Sequence, residues 1–208
     1  MTANITGLPF ASARLLSAGK ATGHGSSDEE LLHRVAKGDR LAIQALFARH
    51  NVRTHRFVLR MVNDSALAED IVSETFIEVW RNADRFEGYS QVSSWILAIA
   101  RFKTLSALRR RKEGQLDEAV AEAIPDSADD PERIMLQKDR AAILRQCLSH
   151  LSGAHREIID LVYYHEKSVE EAAAIVGVPA NTAKTRMFHA RKRMSELLKQ
   201  AGVDRTYQ

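Results

Sequence analysis

Apolar residues recur at three- and four-residue spacing through nearly the whole chain, and no run alternates with the two-residue period of a strand. That periodicity confines the chain to helices, each burying one stripe. The fold class expected is all-α. With 208 residues and a 45% apolar fraction, the chain has room for one large core or two small ones. No apolar run approaches the roughly 18 residues of a membrane-spanning helix. The opening MTANITGLPFASARLLSAGKATGHGSS lacks the unbroken apolar core of a signal peptide and reads as a flexible extension. The single cysteine, Cys147, excludes an internal disulfide and fits a reducing compartment, so a cytoplasmic protein is expected. There is no GxGxxG, Walker A, CxxC or HExxH pattern, and the histidines are scattered. Neither a cofactor nor a metal site nor a catalytic residue is expected, and an enzyme is the least favoured class.

Charge divides the chain further. Residues 28–112 carry 15 basic and 11 acidic side chains, a net of +4. Residues 113–139 carry 2 basic and 9 acidic, a net of −7, with Pro125 and Pro131 as breakers. Residues 140–208 carry 11 basic and 7 acidic, again +4. Two mildly basic modules joined by an acidic tether suit a polyanionic partner that the tether avoids. The expected organisation is an extension over 1–27, a helical domain over 28–112, a flexible linker over 113–139, a second helical domain over 140–200 and a tail over 201–208. In the free chain the tether can stand open, or the two domains can pack together or be clamped by an inhibitor, covering the faces that would meet such a partner.

Ser27-Asp28-Glu29-Glu30 has the form of a capping box opening a first helix that stops at Gly38. A second helix is expected from about Asp39 and a third from about Val52 to Met61. In SALAEDIVSETFIEVWRNADRF, the residues Ala68, Ile71, Val72, Thr75, Phe76, Val79 and Trp80 share one face. The opposite face carries Glu69, Asp70, Ser73, Glu74 and Glu78, with Ile77 set among them. Such a face is either simply solvated or a docking surface. The loop RFEGYSQVSS leads into WILAIARFKTLSALRRRK, where Ser93 or Ser94 can cap. Trp95, Ile96, Ile99, Phe102 and Leu105 read as the apolar side of that helix. Arg109, Arg110, Arg111 and Lys112 at its end either answer the helix dipole or, with Phe86, Tyr89 and Gln91 nearby, hold unstacked bases. Cys147 lies within the stripe Ile143, Leu144, Leu148 and Leu151 and reads as core.

SVEEAAAIVGVPANTAKTRMFHARKRM, residues 168–194, reads as a helix-turn-helix. Ser168 caps the first helix and Glu170 and Glu171 sit at its positive end. Ala172, Ala173 and Val176 allow close packing, Gly177 ends the helix, and Pro179 and Asn181 suit the turn. In the second helix Ala183, Met187, Ala190, Met194, Leu197 and Leu198 form the buried stripe. Asn181, Lys184, Thr185, Phe188, His189 and Lys192 then point outward, where Lys and Asn reach base edges and Thr or Phe meets a thymine methyl. Arg186, Arg191 and Arg193 flank this face and can reach phosphates. A DNA-binding regulator that uses only this domain leaves the 65–112 pattern unexplained; a protein-interaction adaptor leaves the outward stripe of 181–192 unexplained.

Taken in order, these segments resemble a sigma-70 family sigma factor of the small extracytoplasmic-function (ECF) type over about residues 28–200. ALAEDIVSETFIEVW resembles region 2.2, which implies that Glu69, Asp70, Ser73, Glu74, Ile77 and Glu78 dock on core RNA polymerase. RFEGYSQVSSWILAIARFKTLSALRRRK resembles regions 2.3 and 2.4. That implies −10 promoter contacts from Phe86, Tyr89, Ser90, Gln91, Trp95, Arg101, Lys103, Arg109 and Arg110. The segment from Leu151 to Met194 resembles region 4, which implies −35 contacts from Asn181, Thr182, Lys184, Thr185, Arg186, Phe188, His189 and Lys192. The resemblance further implies a non-enzymatic, stress-type initiation factor whose partners are core polymerase, promoter DNA and an anti-sigma factor. The chain departs from the family pattern at Phe102 and Ser106, where Asn and Asp are usual, and at Asn181, where Gly is usual.

Overall fold

The computed structural model describes residues 26–114 and 142–202. The N-terminal extension before residue 26, the linker from 115 onward and the tail beyond 202 lie outside the described residues. Within them, all regular structure is helical. Helices α1 (Asp28–Ala36), α2 (Arg40–Val62), α3 (Ser65–Asn82) and α4 (Val92–Gly114) form the N-terminal bundle, with a 3₁₀ turn, Ala83–Arg85, extending α3. The C-terminal part contains α5 (142–149), α6 (Gly153–Ile159), a π-helical turn over Asp160–Tyr164, α7 (Val169–Val176) and α8 (Ala180–Gln200).

Each helix start has a chemical cause. Ser27 and Glu30 form the expected capping box on α1, and Ser168 and Glu171 form another on α7. The Asp39 carboxylate accepts from the Leu41 and Ala42 amides at the head of α2, and Asp64 accepts from the Leu67 amide at the head of α3. Gly177 closes α7 in the left-handed conformation at φ 71°, which a side chain would strain. The tight break between the two helices of the C-terminal motif therefore rests on a box at one end of α7 and a glycine at the other.

Three local expectations differ from the structure. The separate helices expected near Asp39 and Val52 are one 23-residue helix, α2, because no Gly or Pro interrupts residues 40–62. Helix α4 begins at Val92, so Ser93 and Ser94 lie inside its first turn and do not cap it. Its buried side is formed by Val92, Ile96, Leu97, Ala100, Thr104 and Ala107, whereas Phe102 and Leu105 are 69% and 42% exposed. The next start falls where Pro179 and Asn181 suit it: α8 begins at Ala180 with Pro179 as its cap, and Asn181 sits in the first helical turn.

Leu32, Leu46, Phe57, Val58, Val79 and Ile96 are almost fully buried in the N-terminal core, and Phe47 meets Phe76 edge to face at 4.9 Å. Burying each of the larger side chains contributes about 1.5–3 kcal/mol. Thr54, Thr75 and Thr104 are buried too, and each hydroxyl donates to the carbonyl four residues back in its own helix, so no donor is orphaned. Cys147 is buried, as its stripe predicted. The N-terminal bundle and the C-terminal motif pack against each other, mainly through α4 on α7.

Two stability outcomes follow from the caps. Ser168→Ala should cost about 1 kcal/mol in chemical denaturation. Asp28 accepts from Arg49 at 2.7 Å and lies 2.6 Å from His50. Partial burial works against its ionisation, but the Arg49 hydrogen bond and the His50 charge prevail and hold its pKa below the ordinary 3.8. A depressed carboxylate stabilises above its unfolded pKa, and that contribution is lost as pH falls through the lower folded value. The stability gap between wild type and Asp28→Asn should therefore narrow as acid denaturation is followed below about pH 4; a constant gap would show that the pairing does not act through ionisation.

Candidate nucleic-acid interface

Helix α8 is divided lengthwise. Ala183, Met187, Ala190 and Leu197 are buried, with Met194 and Leu198 half-buried beside them. Ala172 and Ala173 of α7 are likewise buried, and the small side chains let α7 and α8 approach closely. The outward expectation holds in geometry: Asn181, Lys184, Thr185, Phe188, His189 and Lys192 are exposed, and Thr182 and Arg186 are partly so. Phe188 is 65% exposed and meets the His189 ring edge to face at 5.4 Å. An exposed aromatic on a basic helix costs solvation alone and suits an apolar base edge. Lys184 is held 3.0 Å from Glu170, and this hydrogen bond and charge depress the Glu170 pKa. The pair lies at the solvent surface, so the lysine is easily diverted to another acceptor. Thr185 turns its hydroxyl back to the Asn181 carbonyl and so presents its methyl.

The second cluster is the loop before α4. Arg85, Phe86, Glu87, Gly88, Tyr89, Ser90 and Trp95 line an open pocket of about 210 Å³. Phe86 and Trp95 meet at 5.4 Å with their planes tilted by 57°, and Tyr89 is 91% exposed at the rim. Gly88 turns the loop at φ 76°. This is a concave site with an aromatic floor and a free aromatic edge, a form that accepts a planar unstacked ring. Arg109 and Arg110 are exposed along α4.

The other members of that cluster are already engaged. Lys103 pairs with Glu78 at 2.8 Å, and that hydrogen bond holds the Glu78 pKa below 4.5. The pair joins the acidic face of α3 to the basic face of α4. Arg101 donates to Glu157 of α6 at 2.5 Å. Gln91 accepts at 3.0 Å from Lys167. On α3, Glu69, Asp70, Ser73, Glu74 and Ile77 are exposed, opposite buried Ala68, Ile71, Val72, Thr75, Phe76 and Val79, as their spacing predicted.

Sequence reasoning missed the residues of α6 and the turn before α7 that face the N-terminal bundle. Asp160, His165 and Lys167 are all buried. Asp160 pairs with Arg60 of α2, His165 packs edge to face on Phe57 at 5.5 Å, and Lys167 Nζ donates to Ser93 Oγ at 2.6 Å as well as to Gln91. Ser94 donates to Glu171 at 3.0 Å. These partners lie 74 or more positions apart in sequence, which no local pattern signals. Among the described residues no helix is long and apolar enough to cross a membrane, and no cluster of His, Cys, Asp or Glu could hold a metal ion.

Two family models match the chain: Sigma-70 region 2 over residues 46–113 and Sigma-70, region 4, over residues 141–194. The chain is 32% identical over 173 residues to the RNA polymerase sigma factor CarQ of Myxococcus xanthus, covering 80% of this chain and 95% of that protein. The chain belongs to the sigma-70 family. It is 27% identical to the ECF RNA polymerase sigma factor SigK of Mycobacterium tuberculosis, over 83% of this chain and 95% of that one. A solved structure of the sigma factor RpoE of Bartonella quintana, in complex with the anti-sigma factor NepR, superposes with a TM-score of 0.60 at 30% identity. It covers 78% of this chain and 98% of that one. This ECF-type sigma factor thus binds core RNA polymerase and directs initiation at promoters with −35 and −10 elements, through a region 2 bundle and a region 4 helix-turn-helix.

Because Asp70 and Glu74 are exposed opposite the buried stripe, reversing both to Lys should change stability by no more than about 0.5 kcal/mol. Retention on immobilised core polymerase tests whether this face docks there: the expected outcome is a fall, and full retention would exclude α3 as a docking surface.

Proposed function

We propose that three separate faces divide the work of initiation. The acidic face of α3 (Glu69, Asp70, Ser73, Glu74, Ile77 and Glu78) docks on polymerase. The loop pocket of Phe86, Tyr89, Ser90, Gln91 and Trp95 captures an unstacked −10 base, while Arg101, Lys103, Arg109 and Arg110 follow the strand phosphates. The outward face of α8 enters the major groove at −35. The observation that carries this reading is the lengthwise split of α8, with a fully buried alanine stripe backing an exposed polar and aromatic face. A reading helix needs both, since the buried side fixes its orientation and the exposed side supplies base contacts.

The loop supports the −10 role through its shape: a tilted pair of aromatic rings as floor with an exposed aromatic at the rim can accept a base only after the duplex has opened. Lys103 would have to leave Glu78, and Arg101 Glu157, before either could follow DNA. No catalytic residue is assigned, the protein acting by binding alone in the cytoplasm where polymerase works. An anti-sigma factor of the kind seen with the Bartonella relative is the proposed inhibitor.

Base-reading and phosphate-reading residues should fail differently. On a library of −35 variants transcribed with core polymerase, Lys184→Ala should cost about 1–3 kcal/mol and relax preference at one or two positions. Arg193→Ala should weaken all promoters alike and lower the salt slope by about one unit. Uniform loss with Lys184→Ala would reduce that lysine to a phosphate anchor, and no change would show that α8 reads with another face.

A further inference from the structure

Two neighbouring carboxylates open α7, and they have different partners. Glu171 is built into the fold: it closes the capping box with Ser168 and accepts from Ser94. Glu170 instead pairs with α8, its carboxylate lying 3.0 Å from Lys184 Nζ. The Lys184 and Glu170 side chains are 59% and 61% exposed, so their pairing adds little to stability. Its place on the surface is more telling. Lys184 stands between Asn181 and Phe188 on the outward face, in the N-terminal half of α8. That is the part of a reading helix that meets base edges. The carboxylate is fixed there by Lys184 and by its own backbone amide, and both keep its pKa below the ordinary 4.5. The one carboxylate within α8, Glu196, is paired with Arg193 in the second half of the helix. The reading half therefore presents an acceptor-only group, lent by α7, beside a donor-only one.

That spacing matches the edge of a base pair. In the major groove a guanine–cytosine pair shows a keto oxygen, O6, next to an amino group, N4. The two are hydrogen-bonded to each other and so lie about 3 Å apart, the separation of the Lys184 and Glu170 side-chain tips. A thymine–adenine pair shows keto O4 and amino N6 in the same order, without the second acceptor that guanine N7 supplies. We propose that Glu170 and Lys184 jointly read one base pair of the −35 element, Lys184 donating to the keto base and Glu170 accepting from the amino group of its partner, with guanine–cytosine preferred. This rests on the assignment of α8 as the −35 reader and adds to it a residue of the supporting helix. The ammonium and the carboxylate exchange each other for the two halves of the base edge, so neither is left without a partner. The carboxylate also sets the orientation. On its flexible stem a lysine can follow guanine O6 to either strand. With Glu170 beside it, inverting the base pair sets acceptor against acceptor and donor against donor, which disfavours the inverted pair.

The test is transcription by core polymerase with the full-length protein, on templates randomised over the −35 element. Wild type should favour a keto–amino pair in one orientation at one position. Glu170→Ala should raise transcription from the inverted pair there by about fivefold or more relative to the preferred pair, with other positions unchanged. Glu170→Gln should admit the inverted pair too, because a carboxamide can donate to a keto oxygen. Lys184→Ala should weaken the preferred pair at the same position. An equal gain on every template with Glu170→Ala would overturn the proposal, since the carboxylate would then act only by repelling phosphates. So would effects of Glu170 and Lys184 at different positions, or unchanged preferences in both Glu170 variants. Phe188→Ala separates this inference from the assignment beneath it. If Phe188→Ala alters −35 preference while the Glu170 variants do not, α8 reads and only the joint reading falls. If Phe188→Ala and Lys184→Ala both leave every position unchanged, the −35 assignment falls and the joint reading with it.

Discussion

Which stripe of each helix is buried decides everything the surface of this sigma factor can do. On α8 the zero-exposure positions Ala183 and Ala190 set the helix against α7, and rotating that stripe by one residue would turn Phe188 and Lys184 into the core. On α3 the stripe from Ala68 to Val79 does the same for the acidic face. The exposed faces of α3 and α8 lie opposite these stripes, and the fold fixes their direction. Small residues matter as much as large ones here, because a close approach of α7 and α8 leaves less freedom for α8 to rotate.

Both of these stripes were legible in the sequence, since α3 and α8 each bury a single face and the spacing alone defines it. Helix α4 was not read correctly for the same physical reason in reverse. It packs against α2 and α3 on one side and α7 on another, so its buried residues include Ala100, Thr104 and Ala107, which carry little hydrophobic signal. The bulkier Phe102 and Leu105 drew the expected face away from the true one. The continuity of α2 was missed because its apolar pattern weakens near Asn51, although nothing there interrupts the backbone. The contacts of Lys167, Glu157 and Asp160 joining the domains were invisible because each pairs with a residue distant in the chain.

The same charged residues serve the folded chain and its partners. Lys103 with Glu78, Arg101 with Glu157, and Lys184 with Glu170 each pair a candidate nucleic-acid-binding cation with an internal carboxylate. If the proposed contacts form, polymerase or DNA exchanges these partners rather than meeting free charges. The solvent-exposed Lys184–Glu170 pair contributes little to stability, whereas the less exposed Arg101–Glu157 pair joins α4 to α6.

The most direct measurement is transcription by core polymerase supplied with this protein, from templates randomised at both the −35 and −10 positions. Sequencing the transcribed templates should show two conserved blocks, with none enriched by core polymerase alone, and Phe188→Ala should change only the upstream block. Enrichment of a single block, or a Phe188→Ala effect on the downstream block, would contradict the division of reading between α8 and the loop before α4.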